Sequence, residues 1–302
     1  MRDDYKKHFL CYLDVLGYKE LIERVEGDLS VFPSIINRLK NVIKSCIKQE
    51  IDRHNEDSPN NNMVVKFIIF SDSILLFVPV DNKEGQHSFY LAPYLPIQIK
   101  YTQEYMDSNM GRLWTLCWII ANIQLKSLEL GIVYRGAISI GNHYYKDDVL
   151  FSKALVDAYV AESTIVKYPR IILLRNDILE LAPLLCDYYD LLLEEDDDDF
   201  YFIDYLGIVR AKYPYDNIYK KYDNEIHNHK LQIEEGVESA ADNKHILRKY
   251  AWMMNYHQKK LGSSYGYWSD KELSISKKYK KICFDKLGSK IVLSDFKYIR
   301  DK

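Results

Sequence analysis

Two short apolar runs constrain this chain more than anything else in it: Phe9-Leu-Cys-Tyr-Leu-Asp-Val-Leu-Gly-Tyr18 and Phe67-Ile-Ile-Phe-Ser-Asp-Ser-Ile-Leu-Leu-Phe77. Each reads as a buried strand that carries one carboxylate, Asp14 or Asp72, to a strand end or a turn. An ionised carboxylate in such surroundings is costly unless something pairs with it. Taken singly, Asp14 has a second, weaker reading as a cap on the following turn, and Asp72 one as an ordinary hairpin-turn aspartate. Two such residues on neighbouring strands point instead to a shared site for a divalent metal.

The order of elements decides whether the two can meet. Residues 8–16 read as a strand ended by Gly17, and 18–26 as a helix with Leu21, Ile22 and Val25 on one face. A second helix is expected from Phe32 to Arg53, with Ile35, Ile36, Leu39, Val42, Ile43 and Cys46 as its stripe. The polar run 54–62 reads as a loop, and Met63–Phe70 and Ile74–Val80 as a hairpin turned by Ser71-Asp72-Ser73. Residues 83–101 have no clear pattern. A largely apolar helix follows over 113–130, stopped by Gly131. Then come a strand over 132–140 ended by Gly141-Asn142, a helix over 154–166 broken by Pro169, and a last core strand over 170–174. This β-α-α-β-β-α-β-α-β order starts as a split βαβ, ferredoxin-like α+β pattern, an antiparallel sheet with helices on one face. That topology sets the first strand beside the hairpin and makes Asp14 and Asp72 neighbours.

Beyond residue 174 the character changes. Residues 181–193 are largely apolar, and the six acids Glu194-Glu-Asp-Asp-Asp-Asp199 read as a solvated loop. Residues 201–209 suggest a further strand. Residues 217–261 are polar and helical in period, with Leu231, Ile233, Val237, Ile246, Leu247, Trp252 and Met253 as apolar positions. The division expected is a catalytic core over 1–180 and a mostly helical extension over 181–302, packed on the core or on a second copy.

Composition narrows the classes. A formal net charge of −3 argues against a basic-patch nucleic-acid binder, whereas a phosphorylated ligand held through metal stays compatible. The five cysteines, Cys11, Cys46, Cys117, Cys186 and Cys283, include no C-x-x-C pair and read as reduced core thiols of a cytoplasmic protein. The first apolar run is too short for a signal peptide and Asp14 interrupts it. No stretch of about 20 apolar residues is present to span a bilayer.

The pieces Leu13-Asp-Val-Leu-Gly-Tyr-Lys19, Phe70-Ser-Asp-Ser-Ile74, Tyr134-Arg-Gly-Ala-Ile-Ser-Ile-Gly141, Phe151-Ser-Lys-Ala-Leu-Val-Asp-Ala-Tyr-Val-Ala-Glu162 and Tyr168-Pro-Arg-Ile171 lie in one order over 8–174. In that order they resemble class III nucleotide cyclases, and more closely the bacterial pyrimidine cyclases of the Pycsar antiphage systems. The resemblance implies a class III cyclase core in which the ribose 3′-hydroxyl of a nucleoside triphosphate attacks the α-phosphorus and pyrophosphate leaves. It implies two Mn²⁺ or Mg²⁺ ions held by Asp14, Asp72 and the backbone carbonyl of Val15, hard oxygen ligands suited to either ion. By the same likeness, Leu16-Gly17-Tyr18 leads into a helix N-terminus that receives the triphosphate, and Gly17 removes a side chain that would hold it off. Tyr18 and Phe70 are candidates to flank the base.

Arg135 lies inside an apolar strand and needs a partner, either a phosphate or a carboxylate such as Asp14, Asp72 or Glu162. Arg170 is expected to form a structural ion pair with Glu162 or Asp157.

The chain departs from the purine cyclases at four polar positions, which here are Ile68, Val149, Val156 and Val160. The first two fall where those enzymes read the base, and the last two where a helix Asn and Arg stand. A different base explains the change, because a site tuned to purine hydrogen bonds rejects other rings; loss of activity explains it too. With both carboxylates retained, the expectation is a pyrimidine cyclase that converts UTP to cyclic UMP, with CTP to cyclic CMP as the alternative. A non-catalytic nucleotide-binding module is the rival from another class. The resemblance further implies a homodimer, no direct contact with nucleic acid or membrane, and a separate effector that senses the cyclic nucleotide during phage infection.

Overall fold

The computed structural model describes residues 5–18, 22–23, 32–57, 63–80, 109–174, 178, 192–208, 223–262 and 274–288. The helix expected over 18–26, the unpatterned stretch 83–101, Cys186 and most of 181–193 fall wholly or largely outside these residues.

The described residues form an α+β structure around a mixed, mostly antiparallel eight-stranded sheet. In chain order its elements are β1 (Lys6–Leu16), α1 (Phe32–Asp57), β2 (Lys66–Phe70), β3 (Ser73–Pro79), α2 (Asn109–Ser127, continued by a 3₁₀ turn over Leu128–Leu130), β4 (Val133–Lys146), β5 (Val149–Ser152), α3 (Lys153–Thr164), β6 (Ile171–Leu173), β7 (Leu193–Glu195), β8 (Tyr201–Ile203), α4 (Asp223–Ser239), α5 (Lys244–Gly262) and α6 (Lys277–Leu287). The strands run β2-β3-β1-β4-β6-β8-β7, with β5 paired to β4. The first strand therefore lies between β3 and β4, antiparallel to both, beside the hairpin as its sequence position requires.

Burial explains why these segments hold. Phe9, Leu10, Cys11 and Leu13 are all fully buried, so β1 is covered on both faces and reads as a continuous apolar run. In α1, Leu39, Ile43, Cys46, Ile47 and Glu50 make a buried stripe at helical spacing. In contrast, α2 is buried on nearly every side, as a helix caught between another helix and a sheet must be. Its Asn122 Nδ2 donates to Glu50 Oε1 at 2.9 Å, so the polar groups between α1 and α2 answer each other.

Two faces of the sheet take different helices. Tyr134 reaches Ser127 at the end of α2, hydroxyl to hydroxyl at 2.9 Å. On the opposite face, Ser139 Oγ donates to the Ala154 carbonyl of α3 at 2.6 Å, and Tyr12 meets Tyr159 edge-on at 5.6 Å. So α1 and α2 share one face while α3 crosses the other, which carries Tyr12, Asp14, Arg135 and Ser139 in register.

The structure differs from several sequence expectations, and each difference has a physical cause. The helix expected to end at Arg53 runs on to Asp57, anchored by His54 Nδ1 against Thr115 Oγ1 at 3.0 Å. Gly141-Asn142 does not end β4, because both stay paired with β1, opposite His8 and Lys7; Gly141 instead lets α3 approach, where a Cβ would lie 3.0 Å from the Ala154 nitrogen. The strand turns instead at Asp147-Asp148, both in the left-handed region at φ 51° and 62°, which makes the β4–β5 hairpin without glycine. The acidic run is not a free loop: Glu194 and Glu195 belong to β7, and Asp196–Asp199 form the turn into β8. That turn closes over Arg170, whose partners are Asp196 and Asp198 and not Glu162 or Asp157; Asp157 binds Lys153.

The sheet continues past residue 180 through β7 and β8, and α4–α6 pack beside it on a smaller core of Ile233, Val237, Leu247, Met254 and Cys283. Among the described residues Cys11, Cys46, Cys117 and Cys283 are buried and in no disulfide, and no helix is long and apolar enough to cross a membrane.

Candidate active site

At one end of the sheet, four strands bring one residue each into a single row: Phe70 on β2, Ser73 on β3, Asp14 on β1 and Arg135 on β4. The next row on the same face is Ile68, Leu75, Tyr12 and Ala137. Asp72 occupies the β2–β3 turn directly beside this corner. Its carbonyl accepts from the Val15 amide at 2.9 Å, which stitches the turn to the end of β1. The turn depends on Ser71, held at φ 52°, a backbone region that side chains other than glycine seldom adopt.

The charges here are interlocked. Arg135 donates to Asp14 Oδ2 from Nε at 3.4 Å and from Nη2 at 3.3 Å, and Nε also pairs with Glu162 on α3. Burial pushes the Asp14 carboxyl up; Arg135 pulls it back and the negative charge of Asp72 pushes it up again, with a net rise. Glu162 rises for the same reasons: burial first, relieved by Arg135 and worsened by Asp14. The corner therefore holds three mutually repelling carboxylates against one guanidinium.

Tyr12 sits just behind, its hydroxyl 2.9 Å from Ser73 Oγ. Gly136 keeps the rows aligned, because a Cβ on it would come within 2.1 Å of the Tyr12 carbonyl and force β1 from β4.

Of the residues singled out from sequence, Asp14, Val15, Phe70, Asp72 and Arg135 meet at this corner. Leu16 and Gly17 follow on the same chain exit, where Gly17 takes φ 73°. Tyr18 packs half-buried against the main core; the helix it opens is described only at Ile22 and Glu23. Arg135 has two of the partners expected for it, Asp14 and Glu162. Tyr12 and Ser73 gave no signal in the sequence, since a tyrosine in an apolar strand and a serine in a turn are ordinary there.

The two carboxylates are a hard-oxygen donor set. Among the described residues no group of three or more His, Cys, Asp or Glu side chains gathers as a metal cage. A pair that leaves the remaining positions to water and phosphate oxygens suits Mg²⁺ or Mn²⁺, and a cation there would offset the burial, and after it the repulsion from Asp72, that raise Asp14.

Exposed apolar side chains of β2, β5 and α3 lie in two separate places. Phe70 at the corner and Val156, Tyr159 and Val160 on α3 are exposed, whereas Val149 and Phe151, also exposed, belong to β5, which pairs with His143–Lys146 at the opposite end of β4 from Arg135. Of the four positions where polar residues stand in purine cyclases, Val156 and Val160 lie exposed on α3, Val149 lies on β5 at the far end of β4, and Ile68 is half-buried in the row behind Phe70.

Comparison with protein-family models, with curated proteins and with solved structures finds no match to this chain.

Proposed function

We propose that this protein is a nucleotide cyclase with a ferredoxin-like class III core, acting on a pyrimidine nucleoside triphosphate. The observation that carries the reading is the tie between Asp72 and the end of β1, Val15 N to Asp72 O at 2.9 Å, which sets both acidic residues at one exposed sheet corner. In the reaction the 3′-oxygen forms a bond to the α-phosphorus, the bond to the pyrophosphate oxygen breaks, and the hydroxyl proton passes to solvent.

Asp14, Asp72 and the Val15 carbonyl would hold the two Mn²⁺ or Mg²⁺ ions. Bound there, the ions would favour the ionised 3′-oxygen and neutralise the leaving pyrophosphate. Arg135 orients the Asp14 carboxylate and favours its ionised form against burial, while Glu162 holds the same guanidinium. Gly17 leaves room for phosphate where β1 ends. Phe70 and Tyr18 supply aromatic faces for a base, with Ile68 as an apolar floor that offers a purine edge no hydrogen bond.

The exposed Val156, Tyr159 and Val160 on α3, the helix that brings Glu162 to Arg135, support a homodimer, since exposed apolar side chains near a polar site are where a second copy would close it. UTP ranks first as substrate and CTP second, on the likeness to the pyrimidine cyclases. By the same likeness the product would be a cytoplasmic antiphage signal read by a separate effector. The non-catalytic reading draws on Val156 and Val160, which stand where purine cyclases place transition-state polar groups.

Incubating the protein with each of the four nucleoside triphosphates and Mn²⁺, then resolving the products, tests the reading. Cyclic UMP from the wild type, and none from Asp14→Ala or Asp72→Ala, is the expected result. Nucleotide binding without any cyclic product would overturn catalysis in favour of the binding module.

A further inference from the structure

The C-terminal helices reach the candidate site. Val133, two residues before Arg135 on β4 and on the same face, packs against the core of α4–α6 together with Ile246, Tyr250 and Trp252 of α5. Trp252 stacks on Tyr168 with ring centroids 6.0 Å apart. From Tyr168 a short chain of backbone bonds leads to β4: Arg170 N donates to Tyr168 O at 2.8 Å, and Gly136 N donates to Arg170 O at 3.1 Å. So α5 is fastened to the strand segment that carries Arg135.

Along α5, Ile246, Lys249, Trp252 and Tyr256 recur at helical spacing. Ile246 and Trp252 hold the helix against the core on either side of Lys249. The ammonium charge of Lys249 acts on both Asp14 and Glu162, offsetting part of the rise that burial gives each carboxyl. Arg135 is committed to Asp14 and Glu162. A lysine side chain, a compact charge on a flexible four-carbon stem, can swing to a phosphate as one arrives.

We propose that Lys249, brought to the sheet corner by the packing of α5 on Val133 and Tyr168, is a phosphate-binding residue that contacts the triphosphate of the substrate, so that the C-terminal extension completes the site. This rests on the cyclase reading above and assigns the phosphate contact within it.

The test is calorimetric titration of the full-length chain with inorganic pyrophosphate in Mg²⁺ buffer, a probe that carries the leaving group and no base. Wild type should bind. Lys249→Gln should weaken binding about tenfold to a hundredfold, as for loss of one hydrogen bond to a charged group. Lys249→Arg should stay within about threefold of wild type. Lys259→Gln, which removes a charge from the same helix at the residue that binds Glu194, should leave binding unchanged. Thermal melts of all four proteins separate a lost contact from a lost fold, and Lys249→Arg keeps the test open should the glutamine variant not fold. Equal pyrophosphate affinity in wild type and a folded Lys249→Gln overturns the proposal and leaves the cyclase reading standing. Absence of pyrophosphate binding in wild type overturns both.

Discussion

Asp14 and Arg135 face each other across the β1–β4 ladder, with guanidinium Nη2 3.3 Å from carboxylate Oδ2. Glu162 grips the same guanidinium and is almost wholly buried, at 4% side-chain exposure. Arg135→Met should therefore strand a buried carboxylate and cost about 2 kcal/mol, below the usual 3–5 kcal/mol for breaking a buried pair because Arg135 is itself partly exposed. Adding Glu162→Gln should recover at least half of that loss. Urea denaturation of the two single variants and the double variant reads the coupling directly.

The acidic turn should show a graded response. Arg170 is fully buried, binds Asp196 and Asp198, and lies 5.6 Å from the Tyr168 ring centroid. Asp196 also accepts from Trp252 Nε1 at 2.9 Å. Asp196→Ala should cost about 3 kcal/mol by leaving Arg170 half-paired. Asp198→Ala, at a more exposed partner, should cost about 1 kcal/mol, and Asp197→Ala within about 0.5 kcal/mol of nothing. Chemical denaturation ranks them; equal effects from all three would mean the run acts only as bulk charge.

Acid should weaken the fold through His143. Its ring is buried against Phe77 at 4.2 Å and neither nitrogen has a hydrogen-bond partner. Burial, then the neighbouring His8 and Lys66, lowers its pKa from 6.5 to about 4. The unfolded chain takes up a proton in that window that the folded chain refuses, so stability falls as pH drops from 6.5 towards 4. The loss between pH 8 and pH 5 is about 2 kcal/mol from this group. His143→Phe should remove that slope in melts recorded across the range. Asp14 and Glu162 carry the opposite sign: their raised carboxyls favour the folded state at low pH and lose that advantage as pH rises through their folded values.

The strand order and the Asp14–Asp72 corner were legible because both depend on local pattern: continuous apolar runs, a Ser-Asp-Ser turn and split βαβ spacing. What sequence hid depends on contacts between distant segments. The β4–β5 hairpin turns on two aspartates with positive φ where glycine would be the usual signal. The acidic run looked solvated because its cation, Arg170, lies far away in the chain. Lys249 was equally hidden, since a lysine on a polar helix reads as surface until α5 is seen to pack on Val133.

The central claim is that Asp14 and Asp72 jointly hold divalent cations that serve a triphosphate. Counting bound Mn²⁺ by paramagnetic resonance, with a UTP analogue that cannot release pyrophosphate, tests it most directly. The account predicts about two ions per site in the wild type and a loss of bound manganese in both Asp14→Asn and Asp72→Asn. Undiminished manganese binding in either folded variant would contradict it.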